Sequence, residues 1–209
     1  MSLSELTVRG FADLLGSSAP APGGGSASAL AGSLGAALAA MVSTLTIGRK
    51  KYVEYQDFAQ QSADEASALK DKFLSAMEKD TEAFNSFSEA MALPKESALE
   101  KAARSAAMQH ALTLCIESPL NMMELSYKTM KLTESLFGKT NANAMSDLGV
   151  ASLMLGTAVQ GAWLNVLINL GSLKDEEAAN SFRIKGEELL NDTLTLSRIL
   201  YDRIEHELK

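Results

Sequence analysis

The chain has few of the residues that build disulfides and metal centres. Its 209 residues include a single cysteine, Cys115, and two histidines, which excludes an internal disulfide and a histidine-rich metal site. It also has only four prolines and 6% aromatic residues. The hydrophobic fraction of 46% is carried mainly by Ala, Leu and Met, the usage typical of packed helices. Length and composition therefore predict an all-α fold with one domain over residues 1–209.

Basic residues are scarce as well. The formal net charge is -7, and a nucleic-acid-binding surface needs an excess of Lys and Arg on one face, so we expect no nucleic-acid partner. The first sixteen residues contain Glu5, Arg9 and Asp13 and no apolar core, unlike a signal peptide. We therefore expect a cytoplasmic protein.

Charge is missing altogether from Ser26 to Ile47. Two prolines and three consecutive glycines precede this run, so they predict a loop followed by a helix that begins at about Ala27 and is capped by Ser26 or Ser28. Larger apolar residues recur along that helix at steps of three and four, at Leu30, Leu34, Leu38, Met41 and Leu45. The small residues between them would allow the backbones of neighbouring helices to approach closely, which predicts a central helix surrounded by others.

A second uncharged run extends from Leu148 to Leu173. Both runs are long enough to cross a bilayer. The first is built from Ala, Gly, Ser and Thr, and the second contains Gln160, Asn165 and Asn169. These residues favour buried helices over lipid-facing ones, so we expect no membrane partner.

The glycine loop before the first uncharged helix is a candidate binding element. A loop that enters a helix points backbone N–H groups and the positive end of the helix dipole at whatever lies in front of it. Gly23, Gly24, Gly25 and Ser26 are therefore expected to contact an anion or a carbonyl group.

One carboxylate interrupts an apolar stripe. Asp80 lies in register with Phe73, Met77, Phe84, Phe87 and Met91, at steps of three and four, which predicts that its side chain points inward. A buried charge must be paired, hydrogen-bonded or neutralised. Two interpretations stay open here: a structural aspartate satisfied by a neighbouring helix, by Lys79 or by Lys50, and a general acid or base tuned by its surroundings.

The remaining segments read as packing helices. Patterns of apolar residues and breakers predict helices over about 7–15, 53–93, 96–137 and 175–209, with a kink at Pro119 and a cap at Asn143 or Ser146 before the second uncharged run. Cys115 and His110 lie among apolar residues and are interpreted as core positions.

Helix lengths separate some of the candidate residues. On an ideal helix Asp147 and Asn165 lie about 27 Å apart, and the Gly23 loop lies more than about 30 Å from Lys51. One chain cannot gather these residues into one small site. An antiparallel pair of subunits would bring them together, so we expect at least a homodimer.

Several short motifs then carry a resemblance to a known family. They are Pro20-Ala21-Pro22-Gly23-Gly24-Gly25-Ser26, Leu45-Thr46, Gly48-Arg49-Lys50-Lys51-Tyr52, Asp80-Thr81-Glu82-Ala83-Phe84, Leu93-Pro94-Lys95, Asn143 with Ser146-Asp147-Leu148-Gly149, and Gly161-Ala162 with Asn165-Val166 and Asn169-Leu170. Their order over almost the whole chain resembles the cyclodeaminase/cyclohydrolase family. That family comprises the C-terminal domain of formimidoyltransferase-cyclodeaminase and the stand-alone bacterial methenyltetrahydrofolate cyclohydrolases.

The resemblance implies an all-helical, homodimeric enzyme that acts on the carbon held between N5 and N10 of tetrahydrofolate, without a metal or separate cofactor. It implies Asp80 as the catalytic acid/base, and Lys51 is expected to assist it or to bind an anionic part of the substrate, such as the glutamate tail. The expected substrate-binding residues are Gly23, Gly24, Gly25, Ser26, Lys50, Asn143, Asp147, Asn165 and Asn169. We expect a cyclohydrolase; a formimidoyltetrahydrofolate cyclodeaminase is the alternative, and a non-enzymatic helical scaffold is a more distant one.

Overall fold

A computed structural model describes residues 2–209. In that range it contains six α-helices and three short 3₁₀ segments and no strands, which confirms the all-α prediction. The helices are α1 (Val8–Leu15), α2 (Gly24–Thr44), α3 (Gln56–Ala92), α4 (Ala98–Leu136), α5 (Met145–Leu170) and α6 (Glu176–Leu208). The 3₁₀ segments are Leu3–Glu5, Lys50–Tyr55 and Ala142–Ala144.

Helix α2 is the central element and packs against α3, α4 and α5. It runs antiparallel to α5, because Gly24 near its start faces Asn165 and Gly35 further along faces Leu155. A methyl group built on Gly32 would overlap the ring of Phe73 on α3. The small residues of α2 are thus what lets its neighbours approach.

Most of the larger apolar residues of α2 are not fully buried, although Val42 is and Leu30 packs against the core. Its buried face consists of small residues, among them Ala29, Gly32, Ala36 and Ala39. Leu34, by contrast, is 50% exposed. The small residues thus face the neighbouring helices, as predicted, because they permit short interhelical distances, whereas part of the Leu and Met stripe faces outward.

Helix starts differ from the predicted ones at two places. Gly23 is the N-cap of α2, the helix begins at Gly24, and neither Ser26 nor Ser28 caps it. Ala144 precedes α5 without a side-chain cap, so Asn143 and Ser146 do not serve as caps there. The hydroxyls of Ser26 and Ser28 have other partners, since Ser28 donates to the carbonyl of Gly24 and Ser26 donates to Asp80.

Helix α4 continues through Pro119 as one element of 39 residues. The kink predicted at this proline is therefore not confirmed. Buried residues of α4, including Ile116, Met123 and Met130, pack against α2, α3, α5 and α6 and complete the core.

Two segments are long and apolar enough to cross a membrane by length and composition, Gly24–Thr44 and Ala142–Leu170. Within them, 56% and 50% of the most apolar windows are buried inside the protein. These two segments largely coincide with the uncharged runs of the sequence, although the second also includes Asp147, and their inner faces pack on the other helices.

Candidate active site

A cavity of about 320 Å³ lies where the start of α2 meets the middle of α3 and α4 and the end of α5. The glycine loop forms one wall of the cavity. A carboxylate and two asparagine side chains contribute to the other walls. Its lining residues are Pro20, Ala21, Gly23, Gly24, Gly25, Ser26, Asp80, Thr81, Phe84, Phe87, Cys115, Asn165, Ile168 and Asn169. The volume is within the range of small-molecule sites.

Asp80 projects from α3 onto the first turn of α2. Its carboxylate accepts a hydrogen bond from the Ser26 hydroxyl at 3.2 Å, and the Ser26 backbone N–H also contributes. The carboxylate lies so close to Gly25 that a methyl group there would overlap it. Glycine at this position is therefore what allows the carboxylate to reach the positive end of the helix.

Burial raises the pKa of Asp80 above its ordinary value, although the hydrogen bonds from Ser26 oppose the shift. Within residues 2–209, Asp80 forms no ion pair, so neither Lys79 nor Lys50 neutralises it. Burial, together with the nearby Asp80 charge, raises the pKa of the Cys115 thiol to about 11. The cavity thus holds a partly desolvated carboxyl group next to a protonated thiol. A carboxyl group that is desolvated in this way is suited to exchange protons with a ligand.

Two asparagines of α5 face the same cavity. The amide nitrogen of Asn165 donates to the carbonyl of Gly161 at 2.8 Å. The amide nitrogen of Asn169 donates to the carbonyl of Asn165 at 2.8 Å and to that of Cys115 on α4 at 3.2 Å. Both side chains are therefore held by backbone carbonyls rather than by other side chains.

The other candidate residues lie at the opposite end of α2. Lys50 and Lys51 belong to the 3₁₀ segment after it, and Asn143 lies in the 3₁₀ segment before α5. The hydroxyl of Tyr52 accepts from the N–H of Ala142 at 3.0 Å and so ties the two segments together. Lys51 borders a second cavity of about 170 Å³ with Tyr52, and its ammonium lies 5.5 Å from the centre of that ring.

One chain thus brings together only part of the predicted set. Gly23, Gly24, Gly25, Ser26, Asp80, Asn165 and Asn169 share the first cavity. Lys50, Lys51, Asn143 and Asp147 lie at the far end, separated by the roughly 30 Å length of α2. Within one subunit, Lys51 cannot touch Asp80, and Asp147 does not line the cavity that holds Asn165.

Several lining residues are not predicted by the sequence. The apolar stripe predicts an inward position for Phe84, but its side chain is 38% exposed at the cavity wall, and Cys115, predicted to be a core residue, is only partly buried and lines the cavity. Thr81 belongs to the Asp80 motif without being an expected site residue, and Ile168 is singled out by no sequence pattern. On the stripe that contains Asp80, Phe73 lies in the core whereas Phe84 lines the cavity. The reason is that α2 begins level with Asp80 and covers only the part of α3 that precedes it.

A larger groove of about 470 Å³ lies on the neighbouring face of the α3–α4 pair. Its charged lining residues, Lys79, Glu82 and Glu117, are all exposed. The Asp80 cavity is the better candidate because it holds a desolvated titratable group beside a helix N-terminus. Among residues 2–209, no three His, Cys, Asp or Glu side chains are grouped so as to hold a metal ion.

Comparison with known proteins gives concordant matches. A family model described as formiminotransferase-cyclodeaminase matches residues 7–188. The chain is 37% identical over 202 residues to a methenyltetrahydrofolate cyclohydrolase of Methylorubrum extorquens, and the match covers 97% of each chain. It is 33% identical to a formimidoyltransferase-cyclodeaminase of Sus scrofa, of which it spans 38%. A formiminotetrahydrofolate cyclodeaminase crystal structure from Thermotoga maritima superposes with a TM-score of 0.81 at 25% identity, covering 98% of this chain and 96% of that one.

Proposed function

Because this chain belongs to the formiminotransferase-cyclodeaminase family, we propose that it is a methenyltetrahydrofolate cyclohydrolase, which converts 5,10-methenyltetrahydrofolate and water to 10-formyltetrahydrofolate. The observation that carries the proposal is the buried Asp80 carboxyl at the start of α2, facing a cavity of ligand size. The chain is an enzyme of folate one-carbon metabolism rather than a helical scaffold, since its relatives are such enzymes by name.

Hydrolysis requires proton movements at two atoms, and Asp80 is placed to perform both. Water attacks the methenyl carbon while the carboxylate accepts a proton from it, and a tetrahedral carbon forms. The bond from that carbon to N5 then breaks as the carboxylic acid returns the proton to N5, and the hydroxyl group on the carbon releases its proton to solvent as the formyl C=O forms on N10. A general acid/base of this kind contributes about 10²- to 10⁴-fold to the rate. The raised pKa of Asp80 suits it to both roles, because burial favours the protonated form that must return a proton to N5, while the ionised form accepts one from water.

The cyclodeaminase reaction is the second candidate, and the Thermotoga maritima likeness supports it. There N10 attacks the formimino carbon and ammonia leaves, so one carboxyl group serves in the same way. The hydrolase is favoured because the 37% identical cyclohydrolase matches this chain over 97% of both lengths. The bifunctional relative from Sus scrofa is spanned only in part.

The assay that tests the function follows the absorbance of methenyltetrahydrofolate with the purified protein. We expect its decay to exceed that of a blank with heat-denatured protein. In a parallel reaction with 5-formiminotetrahydrofolate, appearance of the methenyl absorbance and of ammonia would assign the cyclodeaminase instead. Absence of both activities would refute the proposal.

We also propose a homodimer that packs through the outward face of α2 and α5. Apolar side chains on this face are left uncovered, namely Leu34 and Met41 on α2, Leu45 at its C-cap, and Val150, Leu153, Leu164 and Ile168 on α5, the last of these 77% exposed. Neither helix carries a charge along this face between Val150 and Ile168 or between Leu34 and Leu45. Exposed apolar residues that recur along two neighbouring helices are typical of an interface between subunits, and their burial there supports a cytoplasmic dimer over a membrane protein.

The same dimer would complete the active site. A two-fold axis perpendicular to α2 sets the two copies antiparallel, so the Asp80 end of one subunit meets the Lys51 end of its partner. Neither Lys50 nor Lys51 forms an ion pair within residues 2–209. These cations are then available to the carboxylates of the folate's glutamate tail.

Mixing two inactive variants tests this arrangement. When separately purified Asp80→Asn and Lys51→Ala proteins are mixed and allowed to exchange subunits, half of the dimers become mixed and each has one fully intact site. We expect the mixture to regain about a quarter of the wild-type activity. Both variants alone, carried through the same exchange procedure, are the controls. If Lys51 served the Asp80 of its own chain, every site would keep one defect and no activity would return.

A further inference from the structure

The middle of α4 contains a backbone carbonyl without its usual helical donor. Pro119 lies inside this helix and is buried, and proline has no backbone N–H. The carbonyl of Cys115, four residues earlier, therefore cannot accept the hydrogen bond that residue 119 would supply. A helical carbonyl that lacks its usual donor needs another partner.

The partner comes from α5. The Asn169 amide donates one hydrogen to the Cys115 carbonyl at 3.2 Å and the other to the carbonyl of Asn165 at 2.8 Å. Because both neighbours are pure acceptors, the orientation of the amide is fixed and its nitrogen has no hydrogen left for a ligand. Asn169 lines the Asp80 cavity, so its side-chain oxygen is the atom that remains for substrate.

We propose that Pro119 is a positioning residue of the substrate site: the carbonyl that it leaves free on Cys115 anchors the Asn169 amide and presents the Asn169 oxygen as a hydrogen-bond acceptor. This inference rests on the proposed folate function. The reduced pterin ring carries N–H donors at its exocyclic amino group and its ring nitrogens, which match an acceptor. The aromatic side chains of Phe84 and Phe87 border the same cavity and suit the flat part of such a ring.

The test is Pro119→Ala, which restores a backbone N–H that competes with Asn169 for the Cys115 carbonyl. We expect KM for the folate substrate to rise about tenfold and kcat to stay within about twofold, the pattern of lost substrate binding. The melting temperature should not fall, because alanine is better accommodated than proline inside a helix. Thr113→Ala is the control on the same helix. It removes a side-chain bond to the carbonyl of Gln109, leaves the Cys115 carbonyl untouched, and should keep the wild-type KM.

A double variant separates positioning from a general effect on α4. If Pro119 acts through Asn169, adding Pro119→Ala to Asn169→Ala should change KM no further, whereas a helix distortion would add its own effect. A wild-type KM in Pro119→Ala, or full additivity in the double variant, would overturn the inference while leaving the folate function intact. Absence of folate turnover by the unmodified protein would instead refute the proposed function, and this inference with it.

Discussion

Turnover should fall by about 100-fold or more in Asp80→Asn, while the protein stays folded. Asparagine keeps the shape of the side chain and can still accept a hydrogen bond from Ser26, but it cannot take up or release a proton. Steady-state rates with methenyltetrahydrofolate measure the loss, and the helical circular dichroism signal reports that the fold is retained. The general acid/base role requires both results together.

The stability of the same variant gives an independent readout. Burial raises the pKa of Asp80 in the folded state above that in the unfolded chain. The carboxyl group therefore contributes to the free energy of unfolding at acidic pH, and this contribution is lost as the pH rises through the raised pKa. Asp80→Asn should therefore melt at the same temperature as wild type or higher near neutral pH, and the difference should shrink toward acidic pH.

A purely structural aspartate would give the opposite pattern. Its replacement would lower the melting temperature at neutral pH, where the charge is engaged, and the remaining folded protein would keep a near-normal rate. Melting curves and rates measured on the same preparations over about pH 4 to about pH 8 distinguish the two roles.

Gly25→Ala should be nearly as damaging to turnover, with a loss of about 100-fold. The added methyl group would occupy the position of the Asp80 carboxylate, so the carboxylate must move away from the helix start and from Ser26. Displacement of a reacting group by about 1 Å can cost that much in rate. The pH dependence of the residual rate should change as well, since the moved carboxyl loses part of its burial.

Gly32→Ala is the matched control on the same helix. There the added methyl group would overlap the ring of Phe73 in the core rather than a group in the cavity. We expect this variant to melt at a lower temperature, because a packed aromatic side chain must shift, but to retain its rate while folded. Equal rates for Gly25→Ala and wild type would show that the position of Asp80 is not critical.

The positions of the helices can be predicted from the sequence because the patterns that indicate a helix are local. Periodic apolar residues and breakers predicted all of the long helices, and the inward register of Asp80 followed from its neighbours on α3. The orientation of α2 was not predictable in this way. Its periodic Leu and Met residues formed a clear stripe, yet the small residues face the core, because the interhelical distance is a property of the whole packing.

The residues that line the cavity cannot be predicted from the sequence for a similar reason. Three consecutive glycines look equivalent in the sequence, but only Gly25 has the carboxylate against it, whereas Gly23 has open space at the same position. Cys115 carries no local feature that separates a core thiol from one at a cavity wall. Its place there depends on where α2 begins relative to α3 and α4.

Within residues 2–209 of one subunit no cation pairs with Asp80, and this bears on how the catalytic cycle ends. A methenyl bridge between two nitrogens is an amidinium cation, so the bound substrate itself supplies a counter-charge that these residues do not provide to the carboxylate. Its arrival should favour the ionised form of Asp80, the form that accepts a proton from water. Hydrolysis leaves a neutral formamide, and the attraction is then lost. We expect the product to leave the cavity readily for that reason, because ring opening removes the charge that held the substrate against Asp80.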